Sequence, residues 1–244
     1  MGNDSNVSDR EEENRVGLMK RLTRRTDKIR SDRSSNWYKT AVGGLWEDVG
    51  KLQFEFLINK GLNPGSYLLD VGCGSLRGGI HFIRYLEAGH YFGIDISEEL
   101  LQAGRQELKR SDLMKKNPNL VQMADFNFQL MGQHFDYALA QSVFTHLPLN
   151  SIIRCLMNIE KVLLRGGRLY ATFFENADGK FNLDPIAHSQ VDGPGFETYF
   201  DRDPYHYDLE TMKWICEKVN LKVEYLGKWN HPRDQRIMVF TKGD

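Results

Sequence analysis

The run Leu68-Leu-Asp70-Val-Gly72-Cys73-Gly74 sets an acidic side chain and two glycines at the end of an apolar stretch. Glycines there let the backbone turn sharply and approach a ligand with no side chain in between. A following helix offers N–H groups and the positive end of its dipole. Asp70 adds a carboxylate that would hold an ammonium group and repel a pyrophosphate. About 20 residues further on, Gly93-Ile-Asp95 precedes Ile96; a carboxylate at such a place accepts hydrogen bonds from both hydroxyls of a ribose. The competing role, capping the next helix, falls more naturally to Ser97. Ala124-Asp125-Phe126 offers an acceptor for an exocyclic amine and a ring to pack on a base, and would equally serve as a strand-to-loop turn.

Two side chains stand where a general base is needed. His146, in Ser142-Val-Phe-Thr-His146-Leu-Pro148, follows an apolar strand pattern, and its other reading is a helix-start histidine that supports a loop. Glu175 follows the next strand pattern, and its other reading is a solvated rim carboxylate. His188, His206 and Tyr207 lie in or beside a long irregular stretch, while His231 in Trp229-Asn-His231-Pro-Arg233 reads first as turn structure. No set of His, Asp, Glu or Cys has metal-ligand spacing on one element, so no metal is expected.

The elements that must position these residues alternate. Leu45–Leu57 has helical period and ends in turn residues; strand patterns follow at Tyr67–Val71, Tyr91–Ile96, Leu120–Ala124, Phe135–Val143 and Arg168–Phe174. Helices are expected over Gly78–Glu87, from Ser97 to about Arg110, over Asn150–Leu164 with Gly166-Gly167 closing it, and from Asp208 to about Val219. Two last strands, near Lys222–Trp229 and Arg236–Thr241, have only a short loop between them and must pair antiparallel. The expected fold is α/β: a doubly wound, mostly parallel seven-stranded sheet with helices on both faces and a C-terminal antiparallel hairpin. Residues 175–207 lack periodicity and read as an inserted loop, long enough to act as a lid.

Residues 1–36 hold nine basic and seven acidic side chains and no aromatic residue. Val16, Met19, Leu22, Thr26 and Ile29 recur at helical steps, so the segment is either a solvated tail or a lid helix over the domain formed by residues 37–244. The remainder carries 23 basic and 26 acidic side chains, a net of −3, and the whole chain a net of −1. Without a basic excess, a nucleic-acid partner is not expected. The polar, acidic start is unlike a signal peptide, Asn6 breaks a myristoylation motif, and no apolar run approaches ~18 residues. Three widely spaced cysteines suggest no disulfide framework. Together these point to a cytoplasmic setting without membrane attachment.

Asp70-Val-Gly72-Cys73-Gly74, Gly93-Ile-Asp95, Ala124-Asp125, Phe135-Asp-Tyr-Ala-Leu139 and Leu164-Arg-Gly166-Gly167-Arg168 occur in order at family intervals. Residues 41–242 thereby resemble the class I S-adenosylmethionine-dependent methyltransferases. The resemblance implies that Asp70 and Gly72, Cys73 and Gly74 cradle the methionine part of S-adenosylmethionine, that Asp95 with Ile96 meets the ribose, and that Asp125 and Phe126 meet adenine. It also implies that Gln141 and Ser142 contact the methionine end. One departure stands out: the usual third glycine is Leu76. The runs GCGSLRGG, GGLWEDVGKLQFEFL and WNHPRDQRIMVF are similar to a bacterial subgroup associated with small-molecule or sugar modification. The implied reaction is methyl transfer to an oxygen or nitrogen of a small acceptor by in-line displacement, with His146 and Glu175 as candidate bases. Aromatic residues near the expected pocket, such as Phe144, Phe174 and Phe196, suit an aromatic metabolite or a sugar face. Alternatives are a protein side-chain methyltransferase and a non-catalytic S-adenosylmethionine-binding protein. A dinucleotide oxidoreductase is disfavoured by Asp70. Oligomeric state is not legible.

Overall fold

The computed structural model describes residues 36–177, 183–189 and 194–243; the expected lid or tail over residues 1–36 lies outside the described residues except for Asn36. Helix α1 (Trp37–Ala41) and helix α2 (Trp46–Asn59) lead into strand β1 (Leu68–Val71). Then come α3 (Gly79–Tyr85), β2 (Tyr91–Asp95), α4 (Glu98–Arg110), β3 (Asn119–Gln122), β4 (Phe135–Ala140), α5 (Leu149–Val162) and β5 (Leu163–Glu175). The chain closes with β6 (Ile186–His188), β7 (Phe196–Thr198), β8 (His206–Tyr207), α6 (Leu209–Cys216), β9 (Leu221–Lys228) and β10 (Arg236–Lys242).

The main sheet runs β3-β2-β1-β4-β5-β10-β9, and β8 joins it by pairing with the end of β5. β3, β2, β1, β4 and β5 are mutually parallel, whereas β10 is antiparallel to both β5 and β9. This is the expected seven-stranded path with its reversed terminal hairpin. All four residues of β1 are buried, as a strand covered on both faces must be. Phe82, Ile83, Leu101 and Leu108 of α3 and α4 pack with Leu57 of α2 on one face. Ile152, Leu156 and Ile159 of α5 pack with Met212 and Ile215 of α6 on the other. The strand order reverses at β1, so a crevice opens beyond the carboxyl ends of β1 and β4.

Two caps follow their sequence signals. Ser97 Oγ accepts from the Leu100 N–H at 3.3 Å, and Asp208 accepts from the Thr211 N–H at 2.7 Å. The helix before β5 is a correction: it stops at Val162, and Leu163 is already extended and paired with Phe135. Gly166, at φ +74°, instead makes the detour before the register resumes at Tyr137 and Arg168. Packing explains its neighbour, because a Cβ on Gly167 would stand 2.7 Å from the Leu164 carbonyl and 2.9 Å from that of Phe135. The described residues after β5 include short strands that the sequence did not suggest. β6 and β7 form an antiparallel hairpin, and β8 aligns His206 with Phe174. Among the described residues, no helix is long and apolar enough to cross a membrane.

Candidate active site

A cavity of about 570 Å³ occupies the crevice, a size ordinary for small-molecule sites. Its floor is the turn after β1. Gly72 adopts φ +71°, and a Cβ there would stand 2.6 Å from Val143 Cγ2, so only glycine lets the two loops meet. The Gly72 and Cys73 N–H groups donate to the Ile94 carbonyl at 2.8 and 2.9 Å, and the Gly74 N–H to Asp95 Oδ2 at 2.8 Å. These three donors are therefore committed inside the protein, and the loop presents shape and carboxylates rather than a row of donors.

Leu76, where the third glycine was expected, takes φ +72° and is fully buried. Gly79 and Gly104 make room for it. A Cβ on either would come within 2.7 Å of Leu76 Cδ2 or 2.9 Å of its Cγ.

Asp70 lines the cavity, and its Oδ2 accepts from the Tyr91 hydroxyl at 2.6 Å. Burial pushes its carboxyl up to about 7, with the Tyr91 hydrogen bond opposing and the Asp95 charge adding to the rise. Asp95 accepts from Gly74 N–H through Oδ2 and from Ser97 N–H through Oδ1, each at 2.8 Å. Burial raises its pKa while the N–H groups around it hold the charge. The carboxylate oxygens are acceptors, which is what the two hydroxyls of a ribose diol require. Ile96 and Cys73 line the same wall. Burial and the nearby Asp70 and Asp95 carboxylates push the Cys73 thiol well above its ordinary range, so it is wall rather than nucleophile.

Leu100, Met123, Ala124 and Phe126 line the far end. Asp125 is not among the lining residues. It is exposed, and its Oδ1 accepts from the Asn127 N–H at 3.2 Å, the turn role that the sequence left open.

Gln141 and Ser142 lie at the centre. Gln141 Oε1 accepts from Gln53 Nε2 at 3.0 Å and from Arg77 Nη2 at 2.8 Å. A guanidinium only donates, so Arg77 fixes which end of the Gln141 amide is the carbonyl. Its Nε2 then faces Ser142 Oγ at 2.6 Å and His231 Nε2 at 3.1 Å, while the Arg233 N–H donates to His231 Nδ1 at 3.3 Å. Burial, then the Arg77 and Arg233 charges, push His231 down to about 3, so the ring is neutral. Above these groups, Val42 to Gly44 form a strap. Arg77 Nη1 donates to the Val42 and Gly44 carbonyls at 2.8 and 3.0 Å, and Arg233 Nη2 to that of Gly43 at 2.7 Å.

The two candidate bases part company. His146 lines the cavity, with its Nδ1 in direct hydrogen-bond contact with Asp203 Oδ1, and Asp203 and Pro204 line it too. A neutral imidazole so held donates through Nδ1 and keeps its lone pair on Nε2. Glu175 does not reach the cavity wall. Its Oε2 accepts from the Tyr225 hydroxyl at 2.6 Å and pairs with Arg236 Nε at 3.2 Å. It is a rim ion pair, the alternative weighed for it, because the β9–β10 hairpin brings an arginine and a tyrosine to the end of β5. Gln53, Arg77, Asp203, His231, Arg233 and Gln235 complete the site, none of them a site candidate from sequence. All but Asp203 lie within the runs that carried the subgroup resemblance.

A doubly wound sheet with a reversed terminal strand is the architecture of the class I methyltransferase fold. Residues 69–169 match the model of the methyltransferase domain family. A magnesium protoporphyrin IX methyltransferase from Synechocystis PCC 6803, solved with S-adenosylmethionine bound, superposes with a TM-score of 0.60 at 16% identity over 91% of both chains. An uncharacterised protein of Methanocaldococcus jannaschii is 30% identical over 110 residues, 45% of this chain and 28% of that one. A probable fatty acid methyltransferase of Pseudomonas putida is 36% identical over 97 residues, 39% of this chain and 24% of that one. The chain thus spans less than half the length of these curated relatives.

Proposed function

We propose that this protein transfers a methyl group from S-adenosylmethionine to a hydroxyl oxygen of a small molecule, by in-line displacement with His146 as general base. The observation that carries the reading is the His146–Asp203 pair in the wall of the same cavity as Asp70, Gly72 and Asp95. The residues fit the cofactor by chemistry: a buried carboxylate for its ammonium group, two acceptor oxygens for its ribose, and an apolar end for its base. When bound, S-adenosylmethionine supplies a methyl group already activated on a sulfonium. What remains for the chain is to align the acceptor, exclude water and take a proton. His146 Nε2 accepts the hydroxyl proton, and Asp203 steadies the charge that the ring acquires. An amine acceptor could lose its proton after transfer, so an oriented base speaks for oxygen. A small acceptor, no nucleic acid and no membrane remain part of the reading, supported by the size of the cavity and the lack of basic excess.

Calorimetric titration with S-adenosylhomocysteine, with NADH as control, tests the cofactor. Selective binding is expected, and Asp95→Ala should weaken it at least tenfold with the fold intact, since hydrogen bonds to a charged group are each worth about 1.5–3 kcal/mol. A variant that binds as tightly as the parent removes Asp95 from the ribose, and a preference for NADH overturns the reading.

A further inference from the structure

The end of the cavity beside His146 has an aromatic wall. Phe174, at the end of β5, and Phe196, from β7, both line it, their ring centroids 5.2 Å apart. His188 of β6 stacks on Phe196 at 5.2 Å with only 15° between planes, and meets Phe174 at 4.9 Å, yet does not itself line the cavity. Its Nε2 contacts Thr198 Oγ1 at 2.9 Å, and that fully buried hydroxyl also meets His206 Nδ1 at 3.0 Å. Phe196 is thus backed by a ring that is itself pinned.

The wall is anchored to the loop bearing the base. Tyr205 N–H donates to the Thr145 carbonyl at 2.8 Å, and the Tyr207 hydroxyl to that of Leu147 at 2.6 Å. Three polar groups nearby are linked to one another: the Ser142 N–H donates to Thr172 Oγ1 at 2.7 Å, and the Ser142 and Thr172 hydroxyls both donate to Gln235 Oε1.

Resting on the methyltransferase reading, we infer that the acceptor is a flat phenol, its ring lying against Phe174 and Phe196 and its hydroxyl directed at His146. Two physical arguments separate a phenol from a sugar or alkyl alcohol. Moving the proton of a phenol (pKa ~10) to an imidazole (~6.5) is uphill by about three to four powers of ten. From an alcohol with the acidity of water (~15.7) the same transfer is uphill by about nine. A sugar ring would also bury several hydroxyls against two phenyl rings, whereas a phenol brings one. In the step, the phenolic oxygen bonds to the methyl carbon as the carbon–sulfur bond breaks, with its electron pair staying on sulfur. The phenolic proton passes to His146 Nε2, giving an aryl methyl ether, S-adenosylhomocysteine and, after release from the imidazolium, a proton.

The experiment offers the protein S-adenosylmethionine with monocyclic and bicyclic phenols and a matched set of alkyl alcohols and free sugars, reading S-adenosylhomocysteine release and product mass. Phenols should turn over in preference. For the best phenol, Phe196→Leu should raise KM about tenfold, with kcat within about threefold and S-adenosylhomocysteine affinity unchanged, base-stacking contacts being worth about 1–3 kcal/mol. Transfer to sugars or alkyl alcohols ahead of every phenol, transfer to no phenol, or an unchanged KM in the variant overturns the phenol assignment and leaves the cofactor reading standing. Failure to bind S-adenosylhomocysteine sinks both.

Discussion

At Asp70, stability and binding pull in opposite directions. Its carboxyl, pushed up to about 7 by burial, stands above the ~3.9 of an unfolded chain. It therefore favours the fold below about pH 4, and that contribution is lost as pH rises toward 7. An ammonium group brought against it favours the ionised form instead, so binding at about pH 6 should release a proton. Calorimetry in buffers of different ionisation enthalpy should show this, with affinity rising about tenfold between about pH 5.5 and 7.5 and Asp70→Asn flattening the profile. An enthalpy independent of buffer would place the ammonium group elsewhere. At the base, Asp203→Asn keeps shape but removes the charge that steadies an imidazolium. With any acceptor that turns over, kcat should fall by about a hundredfold or more while S-adenosylhomocysteine affinity holds; an unchanged kcat would make the pair structural. Asp70 and Asp95 are legible from spacing because the local chain dictates their place at strand ends. Asp203 is not, since it reaches His146 from 57 residues away and only packing sets that distance. Asp125 was equally readable as a turn, and its local hydrogen bond to the Asn127 N–H is the contact seen.

The types and order of the main-sheet strands and the helices between them were readable, because alternation, caps and turn glycines are local signals. The failures came where the same residue serves two purposes. A glycine pair after a helix reads as a helix end, yet Gly167 is required by carbonyls of two strands. The hairpin of β6 and β7 was hidden because three-residue strands show no period, and what holds them is an aromatic stack with Phe174. The missing third glycine shows compensation between elements. Leu76 accepts a left-handed backbone, a strain of about 1–2 kcal/mol, and in return fills the gap between α3 and α4. Gly104→Ala, a change that ordinarily stabilises a helix interior by about 1 kcal/mol, should here destabilise by about 1–3 kcal/mol through overpacking against Leu76. Thermal unfolding decides the sign, and a raised Tm would show the turn to be soft.

Across the whole molecule, the helices and sheet form a rigid floor, and the strap of residues 42–44 closes one side of it from outside the sheet. Its three carbonyls converge on Arg77 and Arg233, which are far apart in sequence. Loosening the clamp should let the cofactor product leave sooner. For Arg233→Ala, S-adenosylhomocysteine dissociation should quicken about tenfold in stopped-flow displacement, the equivalent of about 1.4 kcal/mol; an unaltered rate would mean that the strap does not gate exit.

The stretch between β5 and α6 supplies both Phe196 and Asp203 and fastens to Thr145 and Leu147 at its far end. On the reading proposed above, shape recognition and half of the proton-removing pair would travel in one cassette, while the cofactor half is built from other parts of the chain. Exchanging that cassette would retune which molecule is chosen and how its proton is drawn off in a single stroke, with the methyl supply left as it was.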